Sequence, residues 1–368
     1  MKILLVSTTS LPVPPLTYGG IERIVYDLSR GLASRGHQVT LVAAKGSRPP
    51  PDVRVILTVD PGRIAGEEVA FRIYEKELHN HDIVCDHSLL KIAAQRIPIN
   101  GSVRYVPVCH TLDLPSCRME KARLVGVSTS HARYMSEKYG REFRAVCNGI
   151  DPAEYSPILE RNEKRGSFLF LGRLTPEKGA RDAIKFCRSL GVGLTVVEGT
   201  GRERFSMRAA RRMAKMGLPI DYAARAFYRG PFGIAYLLRA IRETRNPNCV
   251  YRTNVSHATK VGLLSQARAL LFPVQDEEPF GLVAVEAMAC GTPVVAYRRG
   301  SMPEIIDQGK TGYLVEAGDE ESFMECMKAA DHIDPVACRN RVLEYFGADR
   351  MVKDYEALFE KVMGGATW

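Results

Sequence analysis

The chain has 368 residues, 45% of them hydrophobic, enough to bury large cores, and its length predicts two domains rather than one. Its opening, MKILLVSTTS, holds one lysine and a four-residue aliphatic run, too short for a secretory signal, and no apolar stretch approaches the ~18 residues of a membrane-spanning helix. The formal charge is +9, and between Arg202 and Arg252 twelve Arg and Lys stand against three acidic residues, an excess as large as that of the whole chain.

The expected location is therefore cytoplasmic, with any membrane contact made peripherally at the inner face. The nine cysteines form no C-x-x-C pair and mostly lie in apolar runs, so they read as reduced, buried small hydrophobes. The histidines show no ligand spacing either, and no structural metal is expected.

In chain order, KILLVS reads as a strand, LPVPPLTYGG as a glycine-ended turn, IERIVYDLSRGLASRG as a helix and HQVTLVA as a second strand. Ile21, Ile24, Val25, Leu28 and Leu32 recur at helical spacing, and the flanking strands are continuous apolar runs, the pattern of a parallel sheet covered on both faces. Further buried strands are predicted at RVIL (54–57), DIVC (82–85), RYVPV (104–108), LVGVS (124–128) and RAVC (144–147). CNGIDPAEYSP (147–157), with two prolines and several turn residues, predicts the interdomain linker. A second α/β run follows through SFLFLGRL, GARDAIKFCRSLG and LTVVEG, and resumes at ARALLFPV and TPVVAY. The fold class expected is α/β, with two facing Rossmann-like domains and a deep cleft between them. Residues 1–150 form the first domain and 151–348 the second, with a basic insert at 202–248. A last helix within 349–368 crosses back to the first domain.

Chemistry concentrates in EEPFGLVAVEAMACGTPVVAYRRGSMPEII. Glu278 precedes a helix predicted to open near Gly281, and Glu286 falls about one and a half turns inside it, so both carboxylates can face one crevice. Between them Phe280, Gly281 and Leu282 present backbone N–H groups at a helix N-terminus, which favours negative charge. For an isolated E-x7-E the plainer reading wins, with Glu286 a solvated helix residue and Glu278 an N-terminal charge. In FLGRLTPEKG, Gly172 ends a strand and Arg173 and Lys178 follow it, cations placed for a phosphate pair. Gly19 and Gly20 sit between a strand and a helix, where tight packing is the plain alternative to phosphate approach. His110 follows the strand RYVPVC, and His87 and Ser128 lie at comparable strand ends. EGTGRER places Gly199 and Gly201 at another strand end.

The string from Glu277 to Ile306, with the Arg173/Lys178 turn and TYGGIER, resembles the signature of retaining family-4 glycosyltransferases of the GT-B fold. That resemblance covers almost the whole chain outside the insert. It implies transfer of a hexose from a nucleoside-diphosphate sugar to an acceptor hydroxyl, with retention and without a metal. Glu278 would then orient sugar hydroxyls, Glu286 take the ribose hydroxyls, and Arg173 and Lys178 hold the diphosphate. The Gly19-Gly20 turn would close over the diphosphate, and His110 would lie near the donor sugar. Gly172, Gly199, Gly201, Phe280, Gly281 and Leu282 would line the donor site, and His87 and Ser128 the acceptor side. No cofactor is implied, the nucleotide sugar being a co-substrate, and the acceptor, lipid-linked or glycan, stays open.

Two departures matter. Thr253, Asn254 and Val255 stand where the family has a Gly-x-Val loop framing the base, which leaves the base open. The insert alternates arginines with Phe205, Met213, Met216, Phe227, Tyr228, Phe232 and Tyr236. A solvated helical pair, contact with an anionic membrane surface and nucleic-acid binding are its readings in that order, and no RNA module is recognisable. The rival functions are a nucleotide-sugar-binding GT-B protein without transfer activity and a sugar-nucleotide epimerase. Retention of Glu278, Arg173 and Lys178 favours the transferase.

Overall fold

The structure is a computed structural model that describes residues 1–17, 19–62, 66–96, 103–115, 122–159, 166–174, 176–198, 248–253 and 255–368. Gly199, Gly201, Asn254, Cys117 and the basic insert as far as residue 247 lie outside the described residues.

Seven strands form the first sheet: β1 (Lys2–Val6), β2 (Gln38–Ala43), β3 (Arg54–Leu57), β4 (Ile83–Asp86), β5 (Tyr105–Cys109), β6 (Val125–Gly126) and β7 (Arg144–Ala145). Their spatial order is β3-β2-β1-β4-β5-β6-β7, every pair parallel, with Lys2 opposite Gln38 and Ile3 opposite Ile83. The second sheet is β8 (Phe168–Gly172), β9 (Leu194–Glu198), β10 (Cys249–Thr253), β11 (Leu270–Phe272), β12 (Val294–Tyr297) and β13 (Gly312–Val315). Its order, β10-β9-β8-β11-β12-β13, is also all parallel. β6 is shorter than the run LVGVS suggests, because Ser128 has already left the strand to cap the next helix, and β7 takes only the first two residues of RAVC.

The described helices are α1 (Gly20–Ser34), α2 (Gly66–Tyr74), α3 (Ile92–Arg96), α4 (Thr129–Tyr139), α5 (Ala180–Leu190), α6 (His257–Gln266), α7 (Leu282–Ala289), α8 (Met302–Ile305), α9 (Glu320–Ala329), α10 (Pro335–Tyr345) and α11 (Ala348–Met363). Alternation along β1 sends Ile3 and Leu5 into a core shared with Ile24 and Leu28 of α1 and Val352 and Phe359 of α11. Leu4 and Val6 face the opposite way, toward Phe71 and Tyr74 of α2 and Met135 of α4. In the second sheet Phe168 and Phe170 pack with Ile184 and Phe323. Among the described residues no helix is long and apolar enough to cross a membrane.

Polar contacts through the linker and the last helix help tie the halves together. Arg23 and Arg30 of α1 pair with Glu154 and Asp151 of the linker segment at 2.9 and 2.7 Å. α11 lies on α1, where Glu356 meets Arg35 at 2.7 Å and His37 at 2.8 Å, and the chain end places the Trp368 indole N–H 3.0 Å from the Leu124 carbonyl.

Candidate active site

Both sheets reverse strand order once, between β1 and β4 and between β8 and β11. In open parallel sheets, ligand crevices form beyond the carboxyl ends of strands at such reversals. Gly172 closes β8 there, and Arg173 follows it, half exposed and 3.9 Å from Glu177. Lys178 lies in the short 3₁₀ turn Pro176–Lys178 that precedes α5, and the Glu177 carbonyl accepts the Gln275 N–H at 2.9 Å, which pins this turn to the segment after β11.

That segment carries Glu278, whose Oε2 lies 2.5 Å from the Lys178 Nζ. The loop around Glu278 is fixed in place. The Ser301 N–H donates to the Glu278 carbonyl at 3.1 Å and the Ser301 hydroxyl to the Phe280 carbonyl at 2.6 Å. Gly300, at φ 52°, lies so close that a Cβ would stand 2.4 Å from the Glu278 nitrogen. Phe280 is buried against Phe346, its ring centroid 6.1 Å away. Gly281 takes a left-handed conformation at the N-cap of α7, and no side chain caps that helix.

Glu286 is buried inside α7 at 3% exposure, which removes the solvated-face reading. Two donors converge on its Oε1: the Tyr155 hydroxyl at 2.8 Å and the Lys260 ammonium at 2.5 Å. Burial first, and then the Glu286 charge, push the Tyr155 phenol far above its usual range, so it stays a donor. His257 packs edge-on against the Tyr155 ring, 5.4 Å between centroids.

From the other side of the cleft comes the Gly19-Gly20 turn. A Cβ on Gly19 would collide with Pro15 and Leu11, so close packing accounts for that glycine on its own. At Gly20 a Cβ would stand 3.5 Å from the Leu282 side chain, so the turn meets the first residue of α7. α1, like α7, begins without a side-chain cap. Two helix N-termini, each with unpaired donors by geometry, therefore face one crevice.

Ser128 caps α4, accepting from the His131 N–H at 3.0 Å, and its hydroxyl donates to the Pro279 carbonyl at 2.7 Å. Glu304 of α8 accepts the Thr129 N–H at 3.0 Å and the Ser130 N–H beside it. His131 receives the Val127 N–H on Nδ1 at 3.2 Å and donates from Nε2 to the Thr111 carbonyl at 3.0 Å. Burial lowers its pKa, while the carboxylates of Glu278 and Glu304 pull it up. His110, one residue before Thr111, is partly exposed and hydrogen-bonds His87 at 2.9 Å. His87 itself is wholly buried, so it does not line the acceptor side as expected but lies beneath His110. Its strand-end position was readable in the sequence, and its depth was not.

Thr253 ends β10, and Val255 follows beyond the undescribed Asn254. Sequence reasoning missed Tyr155, Lys260, His131 and Glu304. An aromatic residue in the linker and a lysine one turn into α6 carry no local signal of a partner 131 or 26 residues away.

Comparison with known proteins agrees with this architecture. The chain matches the sequence families described as Glycosyltransferase Family 4 over residues 18–154 and Glycosyl transferases group 1 over residues 237–333. A glycogen synthase of Mycobacterium tuberculosis is 26% identical over 420 residues, covering 97% of this chain and 91% of that protein. The crystal structure of AviGT4, a glycosyltransferase involved in avilamycin A biosynthesis, superposes with a TM-score of 0.72 at 22% identity, over 100% of this chain and 99% of that one. Anabaena HepE in complex with UDP-glucose superposes with a TM-score of 0.69 at 16% identity, over 98% and 100%. With two all-parallel sheets, matching strand reversals and the two family models matched in the two halves, the chain belongs to the family-4 glycosyltransferases of the GT-B fold.

Proposed function

We propose that this glycosyltransferase moves a hexose from a nucleoside-diphosphate sugar to an acceptor hydroxyl, with retention at the anomeric carbon and without a divalent ion. The observation that carries the reading is the 2.5 Å contact of Lys178 with Glu278 at the β8/β11 reversal, facing two uncapped helix N-termini. HepE binds UDP-glucose, which supports a donor of that class.

In such a transfer, positive charge develops on the sugar and negative charge on the departing diphosphate. Catalysis then needs fixed donors and cations at the leaving group. Lys178 has three N–H donors, so it can hold Glu278 and still reach a phosphate oxygen, with Arg173 beside it at the mouth. The N–H groups of the Gly19-Gly20 turn and of Phe280, Gly281 and Leu282 supply the rest. Glu278 orients sugar hydroxyls, and Glu286, with Oε1 already engaged, offers Oε2 to the ribose. His110 lies beside the sugar, and the leaving phosphate accepts the proton of the incoming hydroxyl on the same face. No Asp-x-Asp pair occurs in the chain, and the two cations take the place such a pair gives a metal.

The test is a panel of UDP-, ADP-, GDP- and dTDP-hexoses with the full chain in EDTA. Binding is read by thermal shift, and the configuration of the sugar first released by slow donor hydrolysis is read by proton NMR. One donor is expected to stabilise the protein and to yield the retained anomer at a rate EDTA leaves unchanged. An inverted product, or a requirement for Mn²⁺, would overturn the mechanism.

A further inference from the structure

His87 and His110 stand at the ends of neighbouring strands β4 and β5, and the buried ring is held from three sides. His87 Nδ1 lies 2.9 Å from His110 Nε2, and His87 Nε2 lies 3.4 Å from Cys85 Sγ. Tyr355 of α11 packs on the His87 ring at 6.0 Å, and the backbone N–H of His87 donates to the Val6 carbonyl at 2.8 Å. Neither imidazole carries charge in the working range. Burial, helped by Lys91, pushes the pKa of His87 down to about 3. Burial, with His87, Lys91 and His131 adding to it, also holds that of His110 well below normal. Lys91, whose charge acts on both rings, gives its ammonium to the carbonyls of Asp86 and Ser88.

Two neutral imidazoles sharing one hydrogen bond have two proton arrangements. The third member of the chain selects between them. Burial raises the Cys85 thiol, so it keeps its proton. Sulfur is a poor acceptor, whereas a bare imidazole nitrogen is a good one. The favourable arrangement sends Cys85 S–H to His87 Nε2 and His87 Nδ1–H to His110 Nε2. His110 must then carry its own proton on Nδ1.

We propose that Cys85 and His87 fix His110 as a neutral imidazole protonated on Nδ1, so that His110 gives a hydrogen bond to an oxygen of the bound sugar or acceptor and does not act as a base. His87 is thus a positioning residue. This rests on the reading that His110 lies at the sugar, and it sharpens it, because a neutral donor suits a sugar that is gaining positive charge and an imidazolium would oppose it.

The test begins with the unliganded full chain, ¹⁵N-labelled at histidine, in which long-range ¹H–¹⁵N correlations report the proton on each ring. His110 is assigned by the signal lost in His110→Gln. The expected result is a neutral His110 protonated on Nδ1 across pH 5–8. A proton on Nε2, or titration near the ordinary ~6.5, would overturn the proposal whatever the activity shows. Two variants then separate structure from function. His87→Asn can still donate to His110 Nε2 and should keep the tautomer and kcat, whereas His87→Leu offers no donor, should release the preference for Nδ1, and should lower kcat at least about tenfold with little change in KM. Parental kcat in His87→Leu with the Nδ1 preference lost would leave the proton chain standing and reject His110 at the sugar.

Discussion

The hydroxyl of Ser128, at the N-cap of α4 in the first domain, donates to the carbonyl of Pro279 in the second at 2.7 Å. Pro279 is the residue after Glu278, so the loop that carries this carboxylate is held from both sides of the cleft. Glu304 completes the contact by accepting two N–H groups of the first turn of α4, where a carboxylate also complements the helix dipole.

This contact predicts a defined closure. Glu304→Ala and Ser128→Ala together should shift the chain toward an open arrangement, seen as a larger radius of gyration in small-angle scattering. Turnover should fall more than donor affinity. An unchanged scattering curve in the double variant would show that the halves are held by α11 and the linker alone.

Lys178→Ala should reduce turnover by roughly 10²-fold, the usual scale for one preorganised electrostatic group, with circular dichroism unchanged, because the side chain lies at the crevice surface and not in the core. Glu278→Gln in the same background should add little, since the two groups act as one unit. Full additivity in a steady-state double-mutant cycle would separate their roles.

At Glu286 the prediction concerns stability as well as binding. Tyr155→Phe removes one hydrogen bond and should cost about 1 kcal/mol. Glu286→Ala leaves the mostly buried Lys260 without its carboxylate, at about 3–5 kcal/mol. Urea unfolding measures both. Equal losses would mean that Lys260 finds another partner.

Much of this architecture is legible in the sequence. Continuous apolar runs mark β1, β2, β8 and β12 because both faces of a parallel sheet are covered, and glycine at 281 marks the opening of α7. The pair Glu278 and Glu286 is visible because one falls just before the glycine that opens a helix and the other just inside it. What surrounds the pair is not visible, since Tyr155, Lys260 and Glu304 reach their partners through tertiary packing and share no local period with them. Burial depth is equally hidden, and for that reason His87 and His110, alike as strand-end histidines, divide into a covered residue and a partly exposed one.

Asp27 gives a pH-dependent test of the α1 linker contact. Burial first, and Glu154 and Asp151 with it, raise its pKa from 3.8 to about 7 against the pull of Arg30 and Arg23. A raised folded-state pKa means that the folded chain binds the extra proton, so stability from this group is present below about pH 4 and is lost as pH rises toward 7. At about 1.4 kcal/mol per unit, the loss sums to about 4 kcal/mol. Asp27→Asn should therefore gain stability over the parent progressively between those values, with Arg30 still paired to Asp151. A constant difference across the window would contradict it.

The most direct test of the account is a calorimetric titration of UDP, ADP, GDP and dTDP, in EDTA, into the full chain and into Lys178→Ala and Glu286→Gln. The account predicts that one diphosphate binds the parent, that Lys178→Ala weakens it at least about tenfold, the effect of about 1.4 kcal/mol, and that Glu286→Gln weakens the same diphosphate as well. Binding of none of the four, or equal affinity in all three proteins, would contradict the assignment of this cleft as the donor site.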